Sequence, residues 1–449
     1  MEKSKIQLLK EVLHMAWPAV FESVFISLAS MIDTLMVSSL GPYAISAVGL
    51  TIQPKFIGLA FFISANIAVA SLVARRYGEN RRENANEILL TSLWYTIAAC
   101  VLVSFVFVYY ADDIIRFCGS NADTHEPAVE YFKIIMGGTF FNVIGLVING
   151  AQRGVGNTKI AMRTNVVSSI VNIIGNYLLI NGNCGFPAWG MRGAAIATVL
   201  GTVLAMFMSI ASLFHDQGFL SVGYILQHKV KARLSCFLSI LKLGGNFFLE
   251  NLAMRAGFIA TAIFAAKLGT EAFAAHNVGM NILNLGFSAG DGMQVAAVAL
   301  IGRSLGEGRK DLAKKYGKIC QECGLVISVI LSVSLWLGAT PFFTLFFPGQ
   351  QEIVQMGVMI AYYIMVIVLF QISQTIYTGC LRGAGDVTYT LIASLVSVTF
   401  IRTLVTYGLT ELYPLGLHGI WLGIFADQLS RFLFNSRRFR QGKWVDYKL

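Results

Sequence analysis

The chain has 449 residues, 56% hydrophobic and 13% charged, with a formal net charge of +10 and a mean hydropathy of +0.66. Soluble domains carry about a quarter charged residues, so this composition excludes an ordinary soluble fold and places the chain in lipid. The basic balance would suit nucleic acid, but the charges lie between apolar runs rather than in one patch, which argues against that partner.

Twelve apolar runs follow one another: 13–38, 45–73, 87–110, 128–152, 160–181, 191–214, 237–266, 272–301, 314–339, 353–380, 387–410 and 417–436. Each is long enough to cross about 30 Å of hydrocarbon. Backbone groups in lipid must bond within their own segment, so the spacing predicts helices. The runs are too long for barrel strands and lack period-two alternation. The fold class is therefore all-α integral membrane. With the N-terminus placed inside, the seven segments on that side carry 26 Lys and Arg. The six on the other side carry three, Arg116, Arg192 and Lys267. This bias predicts that both termini are cytoplasmic, and it fits anionic lipid headgroups. A multi-pass place in the cytoplasmic (inner) membrane follows. The first apolar run is too long for a cleavable leader and contains acidic residues.

The chain also reads as one unit written twice. "ARRYGENRRENA" at 74–85 and "GRSLGEGRKDLA" at 302–313 stand 228 residues apart. The same offset takes Leu40-Gly41 to Leu268-Gly269 and Glu22 to Glu250, and "AQRGVGN" at 151–157 faces "CLRGAGD" at 380–386. An internal duplication in an apolar chain is the sign of a two-lobed transporter. Six helices per half is even, so the lobes enter with the same orientation and the repeat axis lies along the membrane normal. The expected organisation is an N-lobe at 1–214, a cytoplasmic linker at 215–236, and a C-lobe at 237–449 with a basic tail.

Charges inside the spans are the informative exceptions, because each costs on the order of 2.5–3.5 kcal/mol at a helix centre. They are Glu22, Asp33, Lys55, Glu250, Arg255, Asp291, Arg402 and Asp427. The first span holds Pro18, Glu22 and Asp33; the two acids are eleven residues apart and share a face. Pro18 removes a backbone hydrogen bond and permits a bend. A bendable helix with a buried carboxylate suits a protonation switch; a carboxylate quietly bonded to a neighbouring amide is the plainer alternative. On the fifth span Asn172 and Asn176 lie at i and i+4, and Thr198 follows on the sixth. With Asp33 these oxygens make a hard-cation site, for Na⁺ through Asp33, Asn172 and Asn176, or a frame for a proton-carrying Asp. The same amides also glue membrane helices together.

Glu22 and Glu250, at equivalent places in the two halves, are expected to line a cleft and attract cationic cargo. Phe25, Met31 and Met254, among other aromatics and methionines of the same helices, would supply a plastic apolar wall, although such residues more often pack against lipid. Asp427 and Arg431 read as a local i, i+4 pair. Lys55, Arg255, Asp291 and Arg402 receive no partner from sequence. Cys320 and Cys323 form a lone C-x-x-C without the companions of a metal site. The Gly-rich turns lack the phosphate-loop frame, and no catalytic motif or ATP-binding box is present, so the chain reads as a non-enzyme driven by an ion gradient without a cofactor.

At this point the chain resembles the multidrug and toxic compound extrusion family of secondary antiporters. The resemblance covers nearly the whole length. It rests on Pro18 before "DTLMVSSLG" at 33–41, R-x-x-G at 75–78 and 303–306, "QRGVGNT" at 152–158, "GAAIAT" at 193–198, "LGTEAFAAH" at 268–276, "LRGAGD" at 381–386, and the ending from Asp427 through Arg431 to "GKW". It implies two six-helix lobes and alternating access, with export of organic cations in exchange for H⁺ or Na⁺ as coupling ion. It implies that Asp33 is the coupling carboxylate, joined by Asn172, Asn176 and Thr198. The second half departs from the pattern. Gln371 stands where one bacterial branch has an Asp, and that branch's Glu falls near Met254, about a turn from Glu250. Gln371 is accordingly counted with the cleft. A monomer in the bilayer is expected, with small organic cations and drugs as cargo. The rival reading is a lipid-linked-precursor flippase of related architecture, which would use Lys55, Arg255 and Arg402 for pyrophosphate.

Overall fold

In a computed structural model, residues 4–40, 42–118, 120, 122–214, 218–347 and 349–447 are described. These residues are overwhelmingly helical and contain no strand. The helices are α1 (Lys5–Ser38), α2 (Pro42–Gly78), α3 (Arg82–Tyr109), α4 (Ala111–Phe117), α5 (Ala122–Gly137), α6 (Thr139–Gly154), α7 (Thr158–Leu179) and α8 (Gly190–Ala211). They continue as α9 (Val222–Gln227), α10 (Leu234–Lys267), α11 (Thr270–Gly306), α12 (Lys310–Phe346), α13 (Gln351–Ala384), α14 (Val387–Ser394), α15 (Thr403–Tyr407) and α16 (Leu417–Gln441).

Among the described residues nine helices are long and apolar enough to cross a membrane, and α5–α6, bent by 45°, makes a tenth span. The predicted run 128–152 is this bent pair; the break falls at Gly138, between α5 and α6. The run 387–410 holds α14, α15 and two wider-wound stretches, Leu395–Arg402 and Gly408–Leu412. α7 and α16 are more polar. At 1.5 Å per residue they are still about 33 and 38 Å long. Each carries a cluster of polar residues: Asn165, Asn172 and Asn176 on one, Asp427, Gln428, Arg431 and Asn435 on the other. Twelve spans in two halves are thus present.

The chain forms two compact units, Phe21–Gly245 and Met1–Val20 with Asn246–Leu449. α1 passes from one unit to the other at Val20–Phe21, two residues beyond Pro18. α10 passes at Gly245–Asn246, beside Gly244-Gly245. Both crossings therefore fall where a helix is weakened, by a missing N–H or by glycine entropy. Leu8, Val12, Met15 and Ala16 pack into the core of the second-half unit.

The segment read as a linker is docked on the first unit. Arg82 of α3 donates to the carbonyls of Phe219 (3.1 Å) and Gly218 (2.6 Å), and Asn86 accepts from the Ser221 amide at 3.1 Å. His215 and Asp216 lie outside the described residues.

The Gly-rich turns close helices in the same way twice. Gly156 and Gly385 both have φ of 89°, a left-handed conformation that favours glycine. Asn157 N donates to Gln152 O at 2.8 Å, and Asp386 N donates to Leu381 O at 2.9 Å. Each turn ends the helix that presents an arginine, Arg153 or Arg382.

Candidate functional site

Within the unit Phe21–Gly245, Asp33 sits on the last turns of α1, half-buried. Asn176 of α7, fully buried, donates its Nδ2 to Asp33 Oδ1. One turn earlier Asn172 donates to Thr198 Oγ1 of α8 at 2.9 Å, and Thr198 donates to Ala194 O at 3.0 Å. Tyr131 of α5, 5% exposed, lies beside Thr198 and within electrostatic range of Asp33. The predicted set Asp33, Asn172, Asn176 and Thr198 therefore meets in one place, with Tyr131 added. Tyr131 lies in a run of ordinary helical spacing and carried no sequence signal.

Lys55 of α2 also acts electrostatically on Asp33, but among the described residues the two form no ion pair. Asp33 is held by an amide, not by a cation. The Oδ1 of Asn176 is buried beside it without a hydrogen-bond partner. A buried carbonyl oxygen without a donor costs about 1–3 kcal/mol, so the place favours a proton donor or a cation. Asn176 Oδ1, the Asp33 carboxylate and the Thr198 hydroxyl are hard oxygen donors of the kind Na⁺ accepts.

The expected cleft acids are placed differently. Glu22 is 3% exposed and paired with Arg153 of α6, and Asn165 of α7 donates to its Oε1 at 2.5 Å. Glu250 is 1% exposed; Arg382 Nη2 stands 2.9 Å from its Oε2, and Ser394 donates to its Oε1 at 2.6 Å. The partners repeat with the duplication, since Arg153 and Arg382, like Asn165 and Ser394, are 229 residues apart. Each acid is thus neutralised inside its own unit, which corrects the expectation that the two draw cationic cargo. The arginines are the residues that reading overlooked, although "QRG" and "LRG" were visible as a repeat.

The remaining cleft residues also turn inward or pack locally. Gln371 is fully buried and donates to Leu283 O at 3.2 Å. Met254 offers its sulfur to Arg431 Nη1 at 3.8 Å. Phe25 stacks on Phe21 with ring centroids 5.9 Å apart. The side chain of Met31 lies outside the described residues.

The pair Asp427–Arg431 forms as the spacing predicts, at 2.8 Å. A second arginine joins it. Arg402, 1% exposed, reaches Asp427 at 3.4 Å, donates to Thr261 Oγ1 at 2.8 Å, and lies 4.7 Å from the Phe258 ring centre.

Comparison with known proteins agrees with this layout. The MatE family pattern matches residues 18–178 and 247–407, once in each half. A Thermotoga maritima protein named "Probable multidrug resistance protein NorM" is 27% identical over 436 residues, 97% of this chain and 93% of that protein. A Bacillus cereus protein of the same name is 25% identical over 429 residues, 93% of this chain and 92% of that protein. A solved structure described as the outward-facing conformation of a multidrug resistance MATE family transporter superposes with a TM-score of 0.89. It shares 23% identity, with 99% of each chain covered.

Proposed function

We propose a function from the premise that the chain belongs to the MatE family: it is an antiporter that exports organic, mostly cationic amphipathic compounds in exchange for H⁺ or Na⁺. The observation that carries this reading is Asp33, tied to the Asn176 amide and, among the described residues, to no cation, with an orphan carbonyl oxygen at its side. Such a carboxylate accepts a proton or a sodium ion without first breaking an ion pair.

The mechanism is competition coupled to a change of state. In the outward-open form, binding of H⁺ or Na⁺ neutralises Asp33, α1 bends at Pro18, and cargo is released. Ion release inside then favours rebinding of cargo. The ion moves this equilibrium only through its difference in affinity for the two states, and about 5.5 kcal/mol of difference takes the ratio from 1:99 to 99:1. Asn172 and Thr198 hold α7 against α8 and keep Asn176 aimed at Asp33. The Lys and Arg bias supports cytoplasmic termini and residence in the inner membrane. The flippase alternative calls on Lys55, Arg255 and Arg402; Arg402 is buried against Asp427, which leaves that reading Lys55 and Arg255, both half-buried.

The test is efflux of ethidium from proteoliposomes, with a pH gradient and a sodium gradient imposed separately. The parent responds to at least one gradient. Asp33→Asn, which keeps size and polarity, abolishes that response while the protein stays monodisperse in detergent. An Asp33→Asn variant that pumps like the parent refutes the assignment of coupling to Asp33.

A further inference from the structure

α11 carries a line of polar side chains that nothing above uses. Asn277, Asn281, Asn284, Ser288 and Asp291 recur at spacings of four and three, which keeps them on one face over about 21 Å. Four of them are exposed and Ser288 is half-exposed, although α11 is otherwise well packed. Its opposite side buries Leu283, Ala289 and Met293 in the core, and Gly279, Gly286 and Gly290 lie close against side chains of α13.

An exposed face of a membrane helix meets either acyl chains or water. The same unit shows what a lipid face looks like: α12 exposes Leu325, Val329, Ile330, Val333 and Trp336. The α11 line is chemically its opposite. A carboxylate against hydrocarbon would cost on the order of 2.5–3.5 kcal/mol near the helix centre, and each amide would add an unsatisfied polar group. Water is therefore the solvent of this face. The line also ends abruptly. Beyond Asp291 the face continues with Val295, and Gln294, three residues on, lies against Gly379 of α13, so the exposed polar line runs from the start of α11 inward and stops at the acid.

The duplication shows that the fold does not demand this line. At the 228-residue offset the counterparts in α2 are Gly49, Gln53, Phe56, Ala60 and Ile63. Only Gln53 of these is polar, so the continuous polar line belongs to one half alone, as a feature of function would.

Asp291 is not neutralised by a bonded partner. Among the described residues it has no ion pair; Arg382 acts on it electrostatically but is bonded to Glu250 at 2.9 Å. We propose that the α11 face Asn277–Asn281–Asn284–Ser288–Asp291 lines a water-filled approach whose closed end binds the positively charged centre of the cargo at Asp291. The amides carry the cargo's hydration, and the acid supplies the complementary charge. The identity of the cargo rests on the export reading; the water-filled face and its charge do not.

Thiol labelling in the full-length protein in proteoliposomes tests both. Single cysteines are placed at 277, 281, 284 and 291, and at 325, 329 and 333 as lipid-facing controls. The labelling of the unsubstituted chain, whose exposed thiol is Cys184, is subtracted. The probes are membrane-impermeant methanethiosulfonates, one carrying trimethylammonium and one sulfonate. The four α11 positions should react at least tenfold faster than the controls. At 284 the cationic reagent should outpace the anionic one, and Asp291→Asn should reduce that preference several-fold. Tetraphenylphosphonium should slow labelling at 284 in the parent but not in Asp291→Asn. Equal rates at α11 and α12 positions overturn the aqueous face. An unchanged preference in Asp291→Asn overturns the role of the acid. Should the cysteine variants fail to fold, equilibrium dialysis of tetraphenylphosphonium against the parent and the isosteric Asp291→Asn decides the second point, with equal binding refuting it. Labelling requires no pumping, so its outcome is independent of the Asp33→Asn efflux test.

Discussion

Replacing Arg153 by alanine removes the cation that neutralises a carboxylate buried inside the first unit. The Glu22 side chain is 4% exposed and that of Arg153 is 18% exposed. Breaking a buried pair by deleting one partner costs about 3–5 kcal/mol, because the other charge is left uncompensated. Arg153 retains some access to water, which places the cost at the lower end, about 3 kcal/mol. Asn165 still donates to Glu22 but does not carry charge. For a unit of this size, about 3 kcal/mol corresponds to a fall in midpoint of roughly 6–12 °C. The reporter is built in: Cys100 is fully buried in this unit, while Cys320 and Cys380 are fully buried in the other. Labelling with a thiol-reactive fluorophore during heating, followed by peptide mass spectrometry, reads each unit separately. Arg153→Ala should unmask Cys100 early. The double variant Glu22→Met/Arg153→Met should restore the Cys100 midpoint to near the parent, since two apolar residues need no compensation. A single variant with the parental Cys100 midpoint, or a double variant as unstable as the single one, refutes the reasoning.

The repeated pair makes the mirrored forecast. Arg382→Ala leaves Glu250 without its cation in a more buried setting, so a loss of about 4 kcal/mol should appear at Cys320 and Cys380 first. Asp427→Ala strands the guanidinium groups of both Arg402 and Arg431, and a destabilisation of about 3 kcal/mol or more should show in the same labelling profile. Two glycines separate crowding from entropy. A Cβ at Gly201 would stand 2.5 Å from Ser168 O, so Gly201→Ala should push α7 from α8 and cost about 1–3 kcal/mol. Gly245 has open space around it inside α10, so Gly245→Ala should raise the melting midpoint, by about 0.5–1 kcal/mol in stability.

The amino-acid sequence determined what lipid chemistry enforces. A run of twenty apolar residues has one solution in a bilayer, so the spans, their number and the duplication were legible before any coordinates. The grouping of the candidate site was largely legible too, because Asn172 and Asn176 are one turn apart and a single helix brings both to the face that meets Asp33. Tertiary structure alone decided the rest. No local pattern states that Arg153, 131 residues from Glu22, returns to neutralise it. Nor does any state that Arg402 turns inward to Asp427. Such contacts depend on how helices far apart in the chain come to lie together. The α11 line shows the division most sharply: its heptad-like spacing was written in the chain, but periodicity assigns a face without naming its neighbour. That the helices of its own unit leave this face uncovered follows from packing and from nothing shorter in range.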